Sequence, residues 1–131
     1  LKLTSSRYGI SKYVVFLGNL EIEELRELYS QCKIFIFTSP FENFAYTLVE
    51  AMCCSAPIIA TNTTAMPESC GDAALYFSPD SEEELSDCIM TYLDDEEIRL
   101  KYKQMALLKS KGYPIYSSVN SETNNLLKKL L

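Results

Sequence analysis

The sequence predicts an α/β domain in which a parallel sheet is flanked by helices. Short runs of β-branched and aromatic residues alternate along the chain with longer segments of helical periodicity. These runs are apolar at consecutive positions, which is typical of strands buried on both faces of a sheet. Strands that alternate with helices are usually joined by crossover connections, so a parallel sheet is expected.

Length and charge exclude several classes of protein. The 131 residues are enough for one domain, and 47% are hydrophobic, so the chain is expected to fold. The net charge of −6 offers no basic face for nucleic acid. No apolar run reaches the roughly 18–20 residues that span a bilayer. The Lys-containing segment at 99–111 is interpreted as a solvated face, in preference to a contact with anionic membrane.

The cysteines indicate a reducing compartment. Five is an odd number, no two are spaced as C-x-x-C, and most lie beside apolar residues. We therefore interpret them as small core residues of a cytoplasmic protein rather than as a disulfide framework. Because the chain has no histidine and no cysteine cluster, we expect no metal cofactor.

The first half of the chain predicts two helices and two strands. Residues 1–8 have the pattern of a helix that ends at Gly9. Residues 13–17 predict a buried strand, and residues 34–37 predict a second one. Between them, residues 21–32 predict a helix with one apolar stripe. That stripe consists of Ile22, Leu25, Leu28 and Tyr29.

The second half continues the alternation. Residues 44–54 predict a helix, and residues 57–60 and 74–77 predict the third and fourth strands. Ser81 with Glu84 forms a capping box ahead of a helix, and Asp95 is expected to cap the next helix, which runs to about residue 111. The apolar stripe of the first of these helices is Leu85, Ile89 and Tyr92. A last helix is predicted at 120–130.

Four strands would make a thin sheet, so one or two further strands are expected to precede Leu1 in a longer parent protein. Ligands of parallel sheets bind beyond the carboxyl ends of the strands. The candidate loops are therefore residues 18–20, 38–47 and 61–71.

The most informative segment carries two carboxylates eight residues apart. Glu42 lies in the loop after the second predicted strand, and Glu50 lies in the first turns of the helix that follows. Carboxylates accept hydrogen bonds from sugar hydroxyls, and the free amides of a helix N-terminus attract phosphate. A nucleotide-sugar presents hydroxyl, diphosphate and hydroxyl in that order, which matches the order of these groups.

This segment resembles the E-x7-E motif of retaining glycosyltransferases of family 4, which have the GT-B fold. The matching residues are Glu42-Asn43-Phe44-Ala45, Glu50-Ala51-Met52 and Pro57-Ile58. Further similar blocks are Phe16-Leu17-Gly18, Leu28-Tyr29-Ser30, Ile34-Phe35-Ile36-Phe37, Met66-Pro67-Glu68 and Gly71-Asp72-Ala73-Ala74. The resemblance implies that residues 1–131 are the donor-binding part of a two-domain enzyme, without its N-terminal acceptor domain and first strands.

The resemblance also implies a role for each matched residue. Glu50 would bind the ribose hydroxyls, and Glu42 would be the catalytic carboxylate beside the donor sugar. The other donor-binding residues are Leu20 at the base, Asn43, Phe44 and Ala45 at the sugar, and Thr47 and Leu48 at the diphosphate. The ring of Phe44 is interpreted chiefly as packing that fixes the loop.

This sequence departs from the family pattern at three glycines. Asn43 and Ala45 replace the two motif glycines, and residues 55–56 replace the glycine before the third strand. Asn tolerates positive φ better than most residues, so the turn at Asn43 is expected to survive. The basic groups that clamp the diphosphate in the family are expected upstream of this segment.

The expected function is transfer of a sugar from a nucleoside-diphosphate sugar, with retention, to a glycan or lipid-linked acceptor in cell-surface polysaccharide biosynthesis. Family frequency favours a UDP-sugar. The acceptor would be bound by the missing N-terminal domain, and peripheral contact with the cytoplasmic face of the membrane is left open. Two alternatives remain: a nucleotide-sugar epimerase of the same architecture, and a non-catalytic α/β binding domain.

Overall fold

Three short strands form a parallel sheet at the centre of the domain. In the computed structural model, which describes residues 1–113, they are β1 (Phe35–Phe37), β2 (Ile58–Thr61) and β3 (Ala74–Phe77). Their order in the sheet is β1-β2-β3. Both pairings are parallel, and Ile58 lies opposite Phe35 on one side and Ala74 on the other. The predicted fold class is confirmed, and the helix predicted at 120–130 lies outside the described residues.

Six α-helices accompany the sheet within residues 1–113. They are α1 (Lys2–Arg7), α2 (Ile22–Gln31), α3 (Tyr46–Cys53), α4 (Ala65–Cys70), α5 (Glu82–Asp94) and α6 (Glu96–Ser110). Two 3-10 turns lie at Ser11–Tyr13 and Gly71–Ala73. In this part of the chain, no helix is both long enough and apolar enough to cross a membrane.

The two faces of the sheet are covered by different helices. Ile58 and Ala60 point into the larger core, where residues of α3, α4 and α6 pack. Ile59, which alternates to the other face, packs with Phe77 and with Tyr92 of α5. The Tyr92 hydroxyl, although fully buried, donates to the carbonyl oxygen of Ile58 at 3.0 Å. The central strand β2 is buried along its whole length, as a strand between two helical layers should be.

Side chains cap the helices where the sequence predicted them. Asp95 accepts from the amide of Ile98 at 2.9 Å and so caps α6. Ser81 accepts from the amide of Glu84 at 3.2 Å at the start of α5. The second half of that capping box differs, because the Glu84 carboxylate accepts from the amide of Ser78 at 2.7 Å instead. This bond ties the end of β3 to the first turn of α5.

The predicted strand at 13–17 is wrong. Ser11–Tyr13 form a 3-10 turn, and residues 14–17 are irregular, with 77% of Val15 and 43% of Phe16 exposed. A strand needs a hydrogen-bonded neighbour, and within residues 1–113 β1 pairs with β2 alone. The run at 13–17 has strand composition but no strand beside it in the described structure, so its backbone stays out of the sheet.

The open edge of β1 also changes two burial predictions. Ile36 is exposed, so the strand expected to be buried on both faces is a half-buried edge strand. On α2, Tyr29 is buried but Ile22 is 64% exposed, so only part of the predicted apolar stripe is covered. In the described residues, β1 has no strand on its other side.

All five cysteines are free thiols. Cys53, Cys54 and Cys70 are buried in the larger core, as expected of small apolar residues, whereas Cys32 and Cys88 are partly exposed. Burial raises the pKa of Cys54 to about 11 and that of Cys70 to about 12. At neutral pH these thiols are therefore protonated and poorly nucleophilic.

Candidate functional site

The loops that follow β1 and β2 meet at one edge of the sheet. Because the two strands are parallel neighbours, their carboxyl ends lie side by side. The loop after β1 carries Glu42 and leads into α3, and the loop after β2 leads into α4. Two of the three predicted loops, 38–47 and 61–71, are thus brought together where a parallel sheet usually binds its ligand.

Three threonines of the second loop hold the first loop in place. The Thr61 hydroxyl donates to the carbonyl oxygen of Ser39 at 2.7 Å, and the Thr63 hydroxyl donates to that of Pro40 at 3.0 Å. The Thr64 hydroxyl oxygen accepts from the amide of Glu42 at 3.1 Å. These contacts were missed from the sequence, although a run of hydroxyl side chains directly after a strand was the available signal.

The Glu42 loop does not use the left-handed backbone expected from the motif. Within residues 1–113, the non-glycine residues with positive φ are Ser55 and Thr64, so the reason given for tolerance of Asn43 is wrong. Ala45 has φ −86°, is 2% exposed and belongs to the larger core. Its methyl group fills that core, so a glycine at 45 would lose packing. Glu42 itself is half-buried, and Asn43 is exposed beside it.

The start of α3 places the residues predicted at the diphosphate. Ala45 is the N-cap residue, and the Leu48 amide donates to the Ala45 carbonyl at 3.0 Å. The Leu48 side chain is fully buried and its amide is engaged by Ala45, so Leu48 has no free donor for a phosphate. Thr47, half-buried in the first turn, presents both a main chain and a hydroxyl. Of the two, Thr47 is the better placed to meet a phosphate.

Glu50 emerges from the core on the side of α3 that faces α2. Its neighbours Val49 and Ala51 are fully buried, whereas Glu50 is half-buried. Burial and then the negative charge of Glu50 raise the pKa of Tyr29, on α2, to about 12. The Tyr29 phenol therefore stays protonated beside this carboxylate at physiological pH.

Leu20, the third predicted part of the site, lines an apolar groove next to α2. The groove has a volume of about 750 Å³ and includes Tyr29 and Phe35. The rest of its lining is Lys2, Val15, Phe16, Leu17, Gly18, Leu25, Leu28 and Cys32. Tyr29 thus lies between the groove and Glu50. Neither Glu42 nor Glu50 lines the groove.

Aromatic rings surround the start of α3. The Phe44 ring lies 4.5 Å from that of Tyr46 and 6.1 Å from that of Tyr113, measured between centroids. The Tyr113 hydroxyl donates to the carbonyl oxygen of Ser69 at 2.8 Å, which joins this cluster to α4. Phe44 packs against two rings, in agreement with its interpretation as a residue that fixes the loop. Tyr46 is 65% exposed and is the most exposed ring of this cluster.

Comparison with known proteins identifies a family and several relatives. The family described as glycosyl transferases group 1 matches residues 1–108. O-antigen chain mannosyltransferase B of Escherichia coli is 30% identical over 118 residues, which cover 90% of this chain and 31% of that protein. Serotype-specific mannosyltransferase WbdA of Escherichia coli is 34% identical over 111 residues, which cover 84% of this chain and 14% of that protein.

Solved structures share the fold. Sucrose-phosphate synthase from Thermosynechococcus elongatus superposes with a TM-score of 0.78 at 21% identity, over 98% of this chain and 33% of that one. Anabaena HepE in complex with UDP superposes with a TM-score of 0.77 at 23% identity, over 97% of this chain and 35% of that one. These neighbours support the Rossmann-like sheet of a GT-B glycosyltransferase. The chain spans about a third or less of the length of each protein compared here.

Proposed function

This chain belongs to the group 1 glycosyltransferases, and from that premise we propose that it is the donor-binding part of a retaining enzyme of family 4. The enzyme would transfer a sugar from a nucleoside-diphosphate sugar to a glycan or lipid-linked acceptor during synthesis of a cell-surface polysaccharide. One observation carries the proposal: Glu42 lies in the loop that joins the carboxyl end of β1 to α3, and Glu50 lies on α3 itself. Parallel sheets bind nucleotides at such positions.

Support for the donor and the pathway comes from the relatives. Two of them are mannosyltransferases of O-antigen or serotype-specific chains, and a fold neighbour was solved with UDP. We propose a UDP-sugar as the donor and no metal cofactor. The acceptor would be bound by a part of the enzyme other than this chain, which spans a third or less of those relatives. We place the enzyme in the cytoplasm, with peripheral membrane contact through the acceptor side.

Glu50 is proposed to bind the ribose of the donor. It is a half-buried carboxylate at the edge of the core, so it is held in place by its buried neighbours yet remains reachable from solvent. A carboxylate that bridges the two ribose hydroxyls makes two charge-assisted hydrogen bonds, each contributing about 1.5–3 kcal/mol. Tyr29, protonated beside Glu50, adds an apolar ring between the ribose position and Leu20, which would meet the base.

Glu42 is proposed to act at the sugar. A retaining transfer develops positive charge on the sugar ring while the nucleoside diphosphate leaves as an anion. A carboxylate at Glu42 would stabilise that positive charge. Main-chain groups of Asn43, Phe44 and Ala45 would hold the sugar hydroxyls, and Thr47 would receive the diphosphate.

Binding of UDP by the 131-residue chain tests the assignment of Glu50. We expect Glu50→Gln to weaken UDP binding tenfold or more in a calorimetric titration, because neutral oxygen is a weaker acceptor than a carboxylate. Glu97→Gln is the matched control, since Glu97 is exposed in the first turn of α6 and is not part of the loops that follow β1 and β2. We expect it to bind UDP within about twofold of wild type. Equal affinity of Glu50→Gln and wild type would contradict the assignment, and GDP titrated in parallel identifies the base.

Turnover tests whether the acceptor site lies elsewhere. We expect the 131-residue chain to bind the donor but to transfer no sugar, because acceptor and basic clamp are proposed to belong to the rest of the enzyme. The measurement is release of free UDP on mixing with UDP-sugar and with lipid-linked or free sugar acceptors. Sustained release that depends on acceptor would show that the acceptor site is within these residues.

A further inference from the structure

Thr64 has an unusual backbone conformation at the point where it meets the Glu42 loop. Its φ is +46° and its ψ is −123°, at the N-cap of α4. This region favours glycine, and a β-branched side chain adopts it rarely. Ser55 is the other non-glycine residue of positive φ in residues 1–113, but it lies at the end of α3, away from this loop.

The Thr64 side chain is the group that reaches Glu42. Its hydroxyl oxygen accepts from the Glu42 amide at 3.1 Å, across 22 residues of sequence. The same hydroxyl points its hydrogen toward the Met66 sulfur, 3.8 Å away, within α4. Because the hydroxyl hydrogen is directed at the sulfur, the lone pairs of the hydroxyl oxygen can accept from the Glu42 amide. A glycine at 64 would adopt the backbone without strain but would carry no hydroxyl.

The neighbouring threonines hold different atoms. Thr61 and Thr63 bind carbonyl oxygens of Ser39 and Pro40, which precede the motif. Within residues 1–113, the side chain of Thr64 is the one of the three that bonds the main chain of Glu42 itself. Loss of the Thr61 or Thr63 contact would loosen the base of the loop, whereas loss of the Thr64 contact would release Glu42 directly.

We infer that Thr64 is a positioning residue, which fixes the carboxylate of Glu42 by holding the amide of the same residue. This inference rests on the proposed function, in which Glu42 faces the donor sugar. Thr64 touches no reacting atom in this scheme. It acts on the sugar end of the donor through Glu42 and leaves the ribose contact of Glu50 unaffected. Its loss should therefore change recognition of the sugar and not recognition of the nucleotide.

Three variants separate the hydroxyl from the backbone strain. Thr64→Ser keeps the hydroxyl with less crowding, Thr64→Ala removes the hydroxyl and keeps the strain, and Thr64→Gly removes both. Thr91→Ala is the matched control, because the Thr91 hydroxyl makes an exposed bond to the Asp87 carbonyl on α5, away from the site. Thermal unfolding of each variant establishes that it folds, and Thr64→Gly is expected to melt no lower than Thr64→Ala.

Solvent exchange of the Glu42 amide, measured by NMR on the ligand-free chain, tests the contact itself. We expect exchange to accelerate at least fivefold in Thr64→Ala and in Thr64→Gly. Thr64→Ser and Thr91→Ala should exchange at the wild-type rate. If Thr64→Ala exchanges at the wild-type rate, the Thr64 hydroxyl does not hold Glu42 and the inference is overturned.

Calorimetric titration with UDP and UDP-glucose, and in parallel with GDP and GDP-mannose, tests the consequence. For the pair that wild type binds, we expect Thr64→Ala and Thr64→Gly to keep nucleotide affinity within twofold. Their preference for the sugar-bearing form should fall at least fivefold, and Thr64→Ser should restore it. Equal losses for nucleotide and nucleotide-sugar would indicate a merely structural role and overturn the inference. If wild type binds neither nucleotide, the proposed function fails, and the exchange rates still decide whether Thr64 holds Glu42.

Discussion

The turn at the end of α3 allows a quantitative test of how a non-glycine residue is accommodated at positive φ. Ser55 has φ +58° and follows the last turn of the helix. Its amide donates to the Met52 carbonyl, and the Ala56 amide donates to the Ala51 carbonyl, each at 3.0 Å. This pair of bonds is the Schellman motif, whose left-handed residue is usually glycine. The position is the one at which the sequence lacks the glycine of the family pattern.

Ser55 compensates for its strain through its side chain. The hydroxyl donates to the Lys103 carbonyl of α6 at 2.9 Å and so ties the turn to the helix that packs on α3. A left-handed conformation costs a non-glycine residue about 1–2 kcal/mol, and such a hydrogen bond contributes about 0.5–1.5 kcal/mol. The two effects are of similar size and opposite sign.

Substitution at Ser55 separates the two effects. Ser55→Ala loses the bond and keeps the strain, so we expect it to lower the free energy of unfolding by about 1 kcal/mol. Ser55→Gly loses the bond but relieves the strain, so we expect it to stay within about 0.5 kcal/mol of wild type. Urea denaturation measures both, and Ser30→Ala is a control that removes an exposed hydroxyl bond of similar length on α2. If Ser55→Gly were as unstable as Ser55→Ala, the positive φ would not be a source of strain.

Three further predictions concern catalysis and pH. In the complete enzyme, Glu42→Ala should lower kcat roughly a hundredfold with little change in donor KM, by steady-state kinetics; unchanged kcat with raised KM would make Glu42 a binding residue. Glu84, whose pKa is lowered by the Ser78 amide, stabilises the fold above its unfolded pKa and loses that effect as pH falls through its folded value. The difference in melting temperature between wild type and Glu84→Gln should therefore shrink from pH 7 to pH 3. Burial raises the pKa of Cys70 to about 12. The buried neutral thiol therefore contributes fully to the free energy of unfolding below about pH 8.5, and this contribution is lost as pH rises further. Urea midpoints should fall more steeply between pH 8 and 10 in wild type than in Cys70→Ala.

Local sequence predicted the elements that depend on local chemistry. The strand at 74–77 and the cap at Asp95 were placed correctly, because short apolar runs and capping residues act within a few positions. The run at 13–17 has the same apolar character, yet it is not a strand. Whether such a run joins a sheet depends on a neighbour, and the identity of the neighbour is a property of the whole fold.

The candidate site also combines features that depend on local sequence with features that depend on tertiary packing. The spacing of Glu42 and Glu50 around a helix start follows from the sequence, and in the structure Glu42 lies in the loop before α3 and Glu50 lies within α3. The hydrogen bond from the Glu42 amide to the Thr64 hydroxyl forms only because β1 and β2 are adjacent and parallel. Burial of the Ala45 methyl group likewise depends on the core residues that lie beneath the loop. Contacts of this kind arise from tertiary packing, so the run of threonines at the end of β2 could not by itself indicate which loop their hydroxyls bind.

The buried thiols make opening of the larger core observable. Cys53, Cys54 and Cys70 belong to the core covered by α3, α4 and α6, and Cys88 packs beside Tyr92 on the opposite side. A buried thiol reacts with a labelling reagent only when its surroundings open, so its labelling rate at neutral pH reports the free energy of that opening. Mass spectrometry of labelled peptides would then tell at what temperature this core opens, with the partly exposed Cys88 as a reference thiol. It would also tell whether a bound nucleotide slows the labelling of Cys53 on α3 more than that of Cys70 on α4.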